Sequence, residues 1–219
     1  MAMIRRSGPY VFLLASLVAL ALVATARSAQ AHAPDGKWDC LGDCANHHAY
    51  AQEYWKWHSS MLSGWKTAIY SGEAVWNQTD GHEFRFFRNN GSSTAGRYDD
   101  LTVLGCAGAI GCTKLWGSGV HITKFEMVFK KVVSGGWNFD PNATSFPGKY
   151  DLFGVAAHEF GHVINLDDVT LSTQTMYGGA FEGDTAPRTL NYYDKKGRCQ
   201  IYGHAHGWWG GCGSWGGTS

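Results

Sequence analysis

The sequence predicts an α+β fold, in which a β-sheet packs against a first helix, a central helix and a C-terminal helix. The clearest strand covers residues 122–133, where apolar and polar side chains alternate. Apolar side chains recur at helical spacing over residues 61–76. Asp151 is a favourable N-cap for the central helix, and we predict the final helix over residues 190–202.

The other elements are predicted from shorter signals. Residues 32–50 are polar and small, which favours an irregular segment. Ser59 or Ser60 is the expected N-cap of the first helix. Short strands are predicted at residues 84–87 and 101–104, so that the sheet contains at least three strands.

Residues 1–31 are expected to be a signal peptide rather than part of the fold. Arg5 and Arg6 precede an apolar run over residues 11–26, and Ala29-Gln30-Ala31 forms an A-x-A cleavage site. An uncleaved membrane anchor is the alternative, although the run is short for a membrane span. The predicted protein is therefore secreted and consists of three parts: a signal peptide (1–31), one folded domain (32–203) and a tail rich in glycine and tryptophan (204–219).

The charge balance argues against a nucleic-acid partner. The chain has 18 Lys and Arg residues and 18 Asp and Glu residues, and residues 1–31 contain three arginines and no acids, so 15 basic and 18 acidic residues remain after cleavage. No basic block is left to bind phosphates. We expect a monomer that does not associate with membranes after cleavage, and the remaining length suits one hydrophobic core.

All six cysteines follow the predicted signal peptide, which indicates disulfide bonds formed in an oxidising compartment. The simplest set joins cysteines that are close in sequence: Cys40–Cys44, Cys106–Cys112 and Cys199–Cys212. A zinc site made of thiolates is the rival interpretation, but the chain contains no C-x-x-C pair.

The segment from His158 to Asp168 carries the candidate chemistry. It contains H-E-x-x-H, and two histidines four residues apart on a helix lie on one face, where they can bind one zinc ion. Asp168, six residues after His162, is the expected third ligand, with Asp167 as a one-residue alternative. Asn165 tolerates the left-handed conformation, so it is predicted to end the helix and turn the chain back toward the metal.

These ligands predict a catalytic site with one Zn²⁺ ion. Two imidazoles and one carboxylate leave a fourth coordination position open for water. Zinc lowers the pKa of that water, and Glu159 accepts its proton and later passes it to the leaving amine. The predicted function is hydrolysis of peptide bonds by a zinc metalloendopeptidase whose partners are protein or peptide substrates.

The same residues resemble a known family. The segment His-Glu-Phe-Gly-His-Val-Ile-Asn-Leu-Asp-Asp is similar to the metzincin motif H-E-x-x-H-x-x-G-x-x-H/D, and its form ending in Asp resembles the secreted snapalysin-type proteases. Thr175-Met176-Tyr177 resembles the Met-turn, whose methionine lies beneath the zinc. The likeness to matrixin-like catalytic domains covers residues 57–203. It implies a metzincin-like fold, with a twisted mixed β-sheet, an active-site helix and a C-terminal helix.

Two positions depart from the family pattern. Asn165 stands where the family has glycine, and we expect asparagine to keep the left-handed turn. Gly178 stands where other metzincin subgroups have a tyrosine ligand, so Tyr177 is predicted to form part of the cleft wall rather than to bind zinc. A full matrixin propeptide is not evident; Cys40 or Cys44 could in principle cover the zinc, although disulfide pairing is simpler.

Other candidate sites have weaker support. Glu182 could act as a ligand in a gluzincin-type site, but the glycine-rich sequence around it disfavours a helix. His204 and His206 could bind a second metal, although such pairs on glycine-rich tails are usually solvated. A structural Ca²⁺ site has no supporting motif. The alternative function is a catalytically silent secreted binding protein on a metzincin fold, and the intact Glu159 argues against it.

Overall fold

The computed structural model describes residues 47–48, 52–78, 84–180 and 182–202. Its strands are β1 (His47–His48), β2 (Gln52–Trp57), β3 (Arg85–Arg88), β4 (Ser93–Tyr98), β5 (Gly111–Ser118), β6 (His121–Lys130), β7 (Trp137–Asn138) and β8 (Tyr150–Asp151). Its α-helices are α1 (Ser63–Asn77), α2 (Leu152–Val163) and α3 (Tyr192–Tyr202). Within these residues, no helix has both the length and the apolar character needed to cross a membrane.

Six of the strands form one mixed sheet. Its order is β1-β6-β4-β2-β3, all parallel, and β5 pairs antiparallel with β6. Parallel neighbours need a crossover connection, and α1 provides it between β2 and β3. Strands β7 and β8 form a separate short pair. The combination of this sheet with three helices is compatible with the predicted α+β class.

The strand predicted at residues 122–133 is confirmed as β6, which begins one residue earlier and ends at Lys130. Phe125, Met127 and Phe129 are fully buried and belong to the main hydrophobic core. Glu126 points to the other face of the sheet, where its carboxylate accepts a hydrogen bond from the Tyr98 hydroxyl at 3.1 Å. The alternation in the sequence therefore identified both the strand and the face that it buries.

Helices α1 and α2 pack in close contact. A Cβ atom on Gly72 would come within 2.6 Å of Ala157 N, so the approach requires glycine on α1. The indole Nε1 of Trp76 donates a hydrogen bond to Ala157 O at 2.7 Å, although Trp76 is almost fully buried. Burying an indole is favourable when its N–H is satisfied in this way. The close approach at Gly72 and the Trp76 hydrogen bond together hold α2 against α1.

The predicted N-cap of α1 at Ser59 or Ser60 is wrong. The helix begins at Ser63, and Leu62 precedes it without a capping side chain. The hydroxyl of Ser60 instead accepts a hydrogen bond from the Arg97 N–H at 3.0 Å on strand β4. Ser60 therefore makes a tertiary contact with the sheet, although its local sequence preference was to cap the helix.

Two other local predictions need correction. Residues 101–104 form a 3-10 helix rather than a strand, because the Asp100 carboxylate accepts the Thr102 N–H at 2.9 Å and Gly105 ends the turn with a φ of 91°. Strand β1 lies within the segment 32–50 that was expected to be irregular. The strand predicted at residues 84–87 is confirmed as β3, one residue later.

The disulfide Cys106–Cys112 is present as predicted. It closes the loop before β5 onto the start of that strand. Cys199 is buried in α3 and is disulfide-bonded. Cys40, Cys44 and Cys212 lie outside the described residues, as do the predicted signal peptide and the glycine- and tryptophan-rich tail.

Helix α3 appears where the last helix was predicted and is held by a buried arginine. The Arg198 guanidinium donates hydrogen bonds to Trp76 O at the end of α1 and to Phe84 O before β3. Burial lowers the pKa of Arg198 to about 9. The guanidinium therefore remains a cation at neutral pH and connects three parts of the chain.

Candidate metal centre

Helix α2 carries the two histidines of the H-E-x-x-H segment. The Asp151 carboxylate caps its first turn, as predicted, by accepting the Gly154 N–H at 2.9 Å. His158 and His162 are one turn apart, and their rings meet edge to face with centroids 4.5 Å apart. Both imidazoles thus occupy the same face of the helix.

The helix ends at a left-handed residue, as predicted. Asn165 has a φ of 72° and is the only non-glycine residue with a positive φ in the described part of the chain. The Asn165 N–H donates to His162 O at 2.9 Å and the Leu166 N–H donates to Gly161 O at 3.1 Å. These two bonds form a Schellman motif, which reverses the chain directly after α2.

This reversal brings Asp168 to the two imidazoles. Its Oδ1 atom lies 3.1 Å from His158 Nε2 and 3.5 Å from His162 Nε2. Ligand atoms about 2.0–2.1 Å from one zinc ion in tetrahedral geometry are about 3.3–3.4 Å apart. Oδ1 is buried beside these two imidazole nitrogens. The spacing and the donor types therefore fit a single small dication.

The hydrogen bonds behind the imidazoles select the tautomer that a metal needs. His158 Nδ1 donates to Thr175 O at 3.0 Å, and His162 Nδ1 donates to Leu166 O at 2.8 Å. A carbonyl can only accept, so each Nδ1 carries a proton, and each ring in its neutral form presents an Nε2 lone pair. Such backing of metal-binding histidines fixes both the ring orientation and the coordinating atom.

The charges in the cluster favour a cation at its centre. Burial disfavours the charged form of His162, but the hydrogen bond to Asp168 and the charge of Glu159 raise the pKa of His162 to about 9. Burial also disfavours the Asp168 carboxylate, but the two imidazoles hold the pKa of that carboxyl well below its usual range. A divalent cation supplies this positive charge more strongly than a proton does.

The neighbouring aspartate has a different position. Asp167 is buried, and its Oδ1 accepts the backbone N–H of Asp168 at 2.7 Å. This bond braces the backbone that presents Asp168. Of the two adjacent aspartates, Asp168 is the one that the fold brings to His158 and His162.

Met176 packs against α2 at Gly161, the residue before His162. A Cβ atom on Gly161 would overlap Met176 Sδ, so glycine at this position lets the methionine reach the helix backbone. The Val169 N–H donates to Met176 O at 2.8 Å, and the Gly178 N–H donates to Val169 O at 3.1 Å. The segment after Met176 is therefore joined to the segment that carries Asp168.

Asp194, in the first turn of α3, holds the turn around Met176. Its carboxylate accepts the N–H groups of Thr175 (3.0 Å), Met176 (3.2 Å) and Asn191 (2.8 Å). Burial raises the pKa of Asp194, although these three N–H groups act in the opposite direction. Thr175 O accepts the hydrogen bond from His158 Nδ1. By holding Thr175, Asp194 therefore also helps to orient a candidate ligand. An acidic residue early in a helix resembles an ordinary cap in the sequence, so nothing indicated this role.

We expect Asp194→Asn to destabilise the protein by about 1–3 kcal/mol, because the amide NH₂ would face backbone donors and leave a buried N–H unsatisfied. Urea unfolding followed by tryptophan fluorescence measures the change. Asp99→Asn is the matched control, since Asp99 forms only an exposed ion pair with Lys131. An Asp194→Asn protein that unfolds at the wild-type urea concentration would show that the carboxylate does not stabilise this turn.

Glu159 lies next to the two histidines on the side of strand β5. It is 4% exposed, and its carboxylate lies within 4.8 Å of histidine ligand atoms. The Thr113 hydroxyl donates to Glu159 Oε2 at 2.7 Å. A Cβ atom on Gly111 would come within 2.5 Å of Glu159 Oε1. Neither of these β5 residues was identified from the sequence, because Gly111-Cys112-Thr113 shows no strand-like alternation.

Arg188 connects the segment after Met176 to the start of α2. Its guanidinium donates to both Asp151 carboxylate oxygens at 2.6 Å, and also to Pro141 O and Ala143 O at 2.8 Å. Two parallel bonds between a guanidinium and a carboxylate fix orientation as well as distance. The cap of α2 thus also anchors the chain at Arg188, at the end of the segment that follows Met176. No sequence motif marked Arg188.

The remaining candidates are Tyr177, Glu182 and the two histidines of the tail. Tyr177 is partly buried, and its ring packs against Gly179, where a Cβ atom would come within 2.7 Å of the ring. The assignment of Tyr177 to a cleft wall stays a prediction. Glu182 is exposed, and His204 and His206 lie outside the described residues. Among the described residues, the His, Cys, Asp and Glu side chains close enough to share an ion are those of His158, Glu159 and His162, with Asp168 in contact with both imidazoles.

The chain matches no protein-family model, and a search of curated proteins finds no match either. The site consists of three donor atoms that lie close together, the Glu159 carboxylate within 4.8 Å of the histidine ligand atoms, and backbone carbonyls that hold both imidazoles.

Proposed function

We propose that this protein is a secreted zinc-dependent endopeptidase with a metzincin-like catalytic domain. The observation that carries the proposal is the convergence of His158 Nε2, His162 Nε2 and Asp168 Oδ1 beside the Glu159 carboxylate. Three protein ligands with one open position are typical of catalytic zinc, whereas structural zinc usually has four protein ligands.

The donor set favours zinc over harder dications. Mg²⁺ and Ca²⁺ prefer six or more oxygen ligands, and this cluster offers two nitrogens and one carboxylate oxygen. The two Nδ1 hydrogen bonds to backbone carbonyls are the backing expected of metal-binding imidazoles. His158, His162 and Asp168 would therefore hold the ion.

When bound, the zinc ion would act as a Lewis acid that acidifies water and polarises the substrate carbonyl. Glu159 would accept a proton from the attacking water and deliver it to the leaving amine, because its carboxylate adjoins the metal-facing side of both imidazoles. Its 4% exposure keeps it away from bulk solvent, which favours direct proton transfer.

Strand β5 offers a binding edge for an extended peptide. Among the described strands it pairs with β6 alone, and its first residues lie against Glu159. An extended substrate could add to this edge through backbone hydrogen bonds, which bind peptides with little dependence on sequence. We place the pocket for the residue after the scissile bond between α2 and residues 177–187, the segment that Arg188 anchors.

The resemblance to metzincins gains support from two local features. The family pattern calls for a left-handed residue after the helix, and Asn165 has this conformation. It also calls for a methionine beneath the histidines, and Met176 packs against Gly161. Secretion is supported by the signal-peptide pattern and by the Cys106–Cys112 disulfide, since such bonds persist in oxidising compartments.

The decisive experiment is casein digestion by the purified protein with and without a zinc chelator. We expect digestion that stops when 1,10-phenanthroline removes the metal and returns when Zn²⁺ is added back. The metal content before and after chelation, measured by mass spectrometry, should fall from about one zinc per chain to none and recover. Mg²⁺ in place of Zn²⁺ should not restore digestion.

Two outcomes would contradict the proposal. Digestion that survives complete removal of zinc would exclude the metal from catalysis. A protein that binds one zinc ion but cleaves neither casein nor a mixed peptide library would instead be a catalytically silent binding protein.

A further inference from the structure

We propose that Thr113 is the positioning residue for Glu159, holding one carboxylate oxygen so that the other remains available for the proton. This inference rests on the proposed function, because it concerns the same general base. It assigns a specific role to strand β5 in addition to substrate binding.

The distances decide which hydrogen bond the Thr113 hydroxyl makes. Its Oγ1 lies 2.7 Å from Glu159 Oε2 and 3.2 Å from Glu159 O. A hydroxyl has one proton, and bonds from hydroxyls to carboxylates are typically about 2.5–2.7 Å long. The proton therefore points to Oε2, and the backbone oxygen makes at most a weak secondary contact.

Gly111 has no side chain and therefore accommodates the other carboxylate oxygen against strand β5. A Cβ atom at this position would lie 2.5 Å from Glu159 Oε1 and 3.0 Å from Cδ, so any larger residue would displace the carboxylate. Two residues of the same strand therefore contact different oxygens: Thr113 donates its hydroxyl proton to Oε2, and Gly111 makes room for Oε1. Because Oε2 already accepts a hydrogen bond from Thr113, we infer that Oε1 is the oxygen available to receive a proton.

The strand that carries Thr113 is well fixed. Thr113 pairs with Met127 of β6, whose side chain is fully buried in the core. The Cys106–Cys112 disulfide closes the preceding loop directly next to Thr113. The hydroxyl is thus held by the sheet, while Glu159 belongs to α2, and the bond sets the distance between the base and the edge where the substrate would bind.

The test compares Thr113→Val with Thr113→Ser. Valine keeps the β-branched shape but removes the hydroxyl, whereas serine keeps the hydroxyl. We expect Thr113→Val to lower kcat by about 10–100-fold with KM changed less than about 2-fold, since a small misplacement of a catalytic group costs up to about 100-fold. Thr113→Ser should stay within about 3-fold of wild type.

Thr123→Val is the matched control. Thr123 is on the neighbouring strand β6, and its exposed hydroxyl only donates to Trp116 O at 3.3 Å. It should keep wild-type kcat and KM. Zinc content should remain one per chain in all variants, because the hydrogen bonds of the Thr113 hydroxyl go to Glu159 and not to the proposed ligands His158, His162 and Asp168.

A crystal structure of zinc-loaded Thr113→Val provides a readout that does not depend on activity. We expect the Glu159 carboxylate to occupy a different rotamer or several rotamers, with His158 and His162 unmoved. An unchanged carboxylate, an unchanged kcat, or an equal loss in Thr113→Ser would each overturn the positioning role. If the wild-type protein proves not to be a protease, the proposed function fails, and the crystal structures still decide whether Thr113 positions Glu159.

Discussion

Glu159→Gln is expected to abolish proteolysis while leaving zinc bound. The amide has the same shape and can still accept the Thr113 hydroxyl, but it cannot take up a proton at neutral pH. General-base catalysis typically contributes about 10²–10⁴-fold, so kcat should fall by at least that much. Cleavage of a fluorogenic peptide measures the rate, and mass spectrometry measures zinc in the same preparation.

Glu126→Gln is the appropriate control for this substitution. Glu126 lies on β6, on the opposite face of the sheet from the core, and its partner is the Tyr98 hydroxyl. The same chemical change there should leave kcat unaltered. A Glu159→Gln protein with wild-type kcat would exclude Glu159 as the base. A loss of zinc from that variant would mean that Glu159 is a ligand. The zinc content tests this alternative, because the Glu159 carboxylate lies within 4.8 Å of histidine donor atoms.

Asp168→Asn is expected to weaken zinc binding by more than about 100-fold. Loss of a group that only supports a ligand already costs about 10–100-fold in metal affinity, so loss of a ligand charge should cost more. The Asp168 Oδ1 atom also provides the negative charge nearest to both imidazoles. Competition with a chromophoric chelator measures the affinity, and proteolysis at limiting zinc should decrease in parallel.

Asp167→Asn is matched to Asp168→Asn in chemistry and lies one residue away. The asparagine Oδ1 can still accept the Asp168 N–H, so the local backbone should keep its shape. We expect zinc affinity within about 3-fold of wild type. The reverse ranking, with Asp167→Asn losing zinc and Asp168→Asn retaining it, would make Asp167 the ligand and contradict the geometry described above.

The helical part of the site was predictable because it depends on neighbours in sequence. The N-cap at Asp151, the spacing of His158 and His162 and the left-handed Asn165 all follow from interactions within one or two turns. The strand β6 was predictable for a similar reason, because its alternation extends over ten residues. Each of these predictions is confirmed.

Other predictions failed where a contact between distant residues outweighed local preference. Ser60 hydrogen-bonds to strand β4 and therefore does not cap α1. Residues 101–104 contain strand-forming side chains, yet Asp100 and Gly105 close them into a 3-10 helix. The edge strand β5 escaped prediction because its stability comes from pairing with β6, and its own sequence begins Gly111-Cys112-Thr113.

The sequence by itself determined the composition of the candidate site: two histidines on one helical face, a glutamate between them, and an aspartate after a turn. This was possible because helix geometry and turn preference operate over a few residues. Only the tertiary structure decided that Asp168 rather than Asp167 meets the imidazoles, that Thr113 binds Glu159, and that Asp194 holds the turn of Met176. Those choices depend on how separate elements pack, and a sequence pattern contains no distances between them.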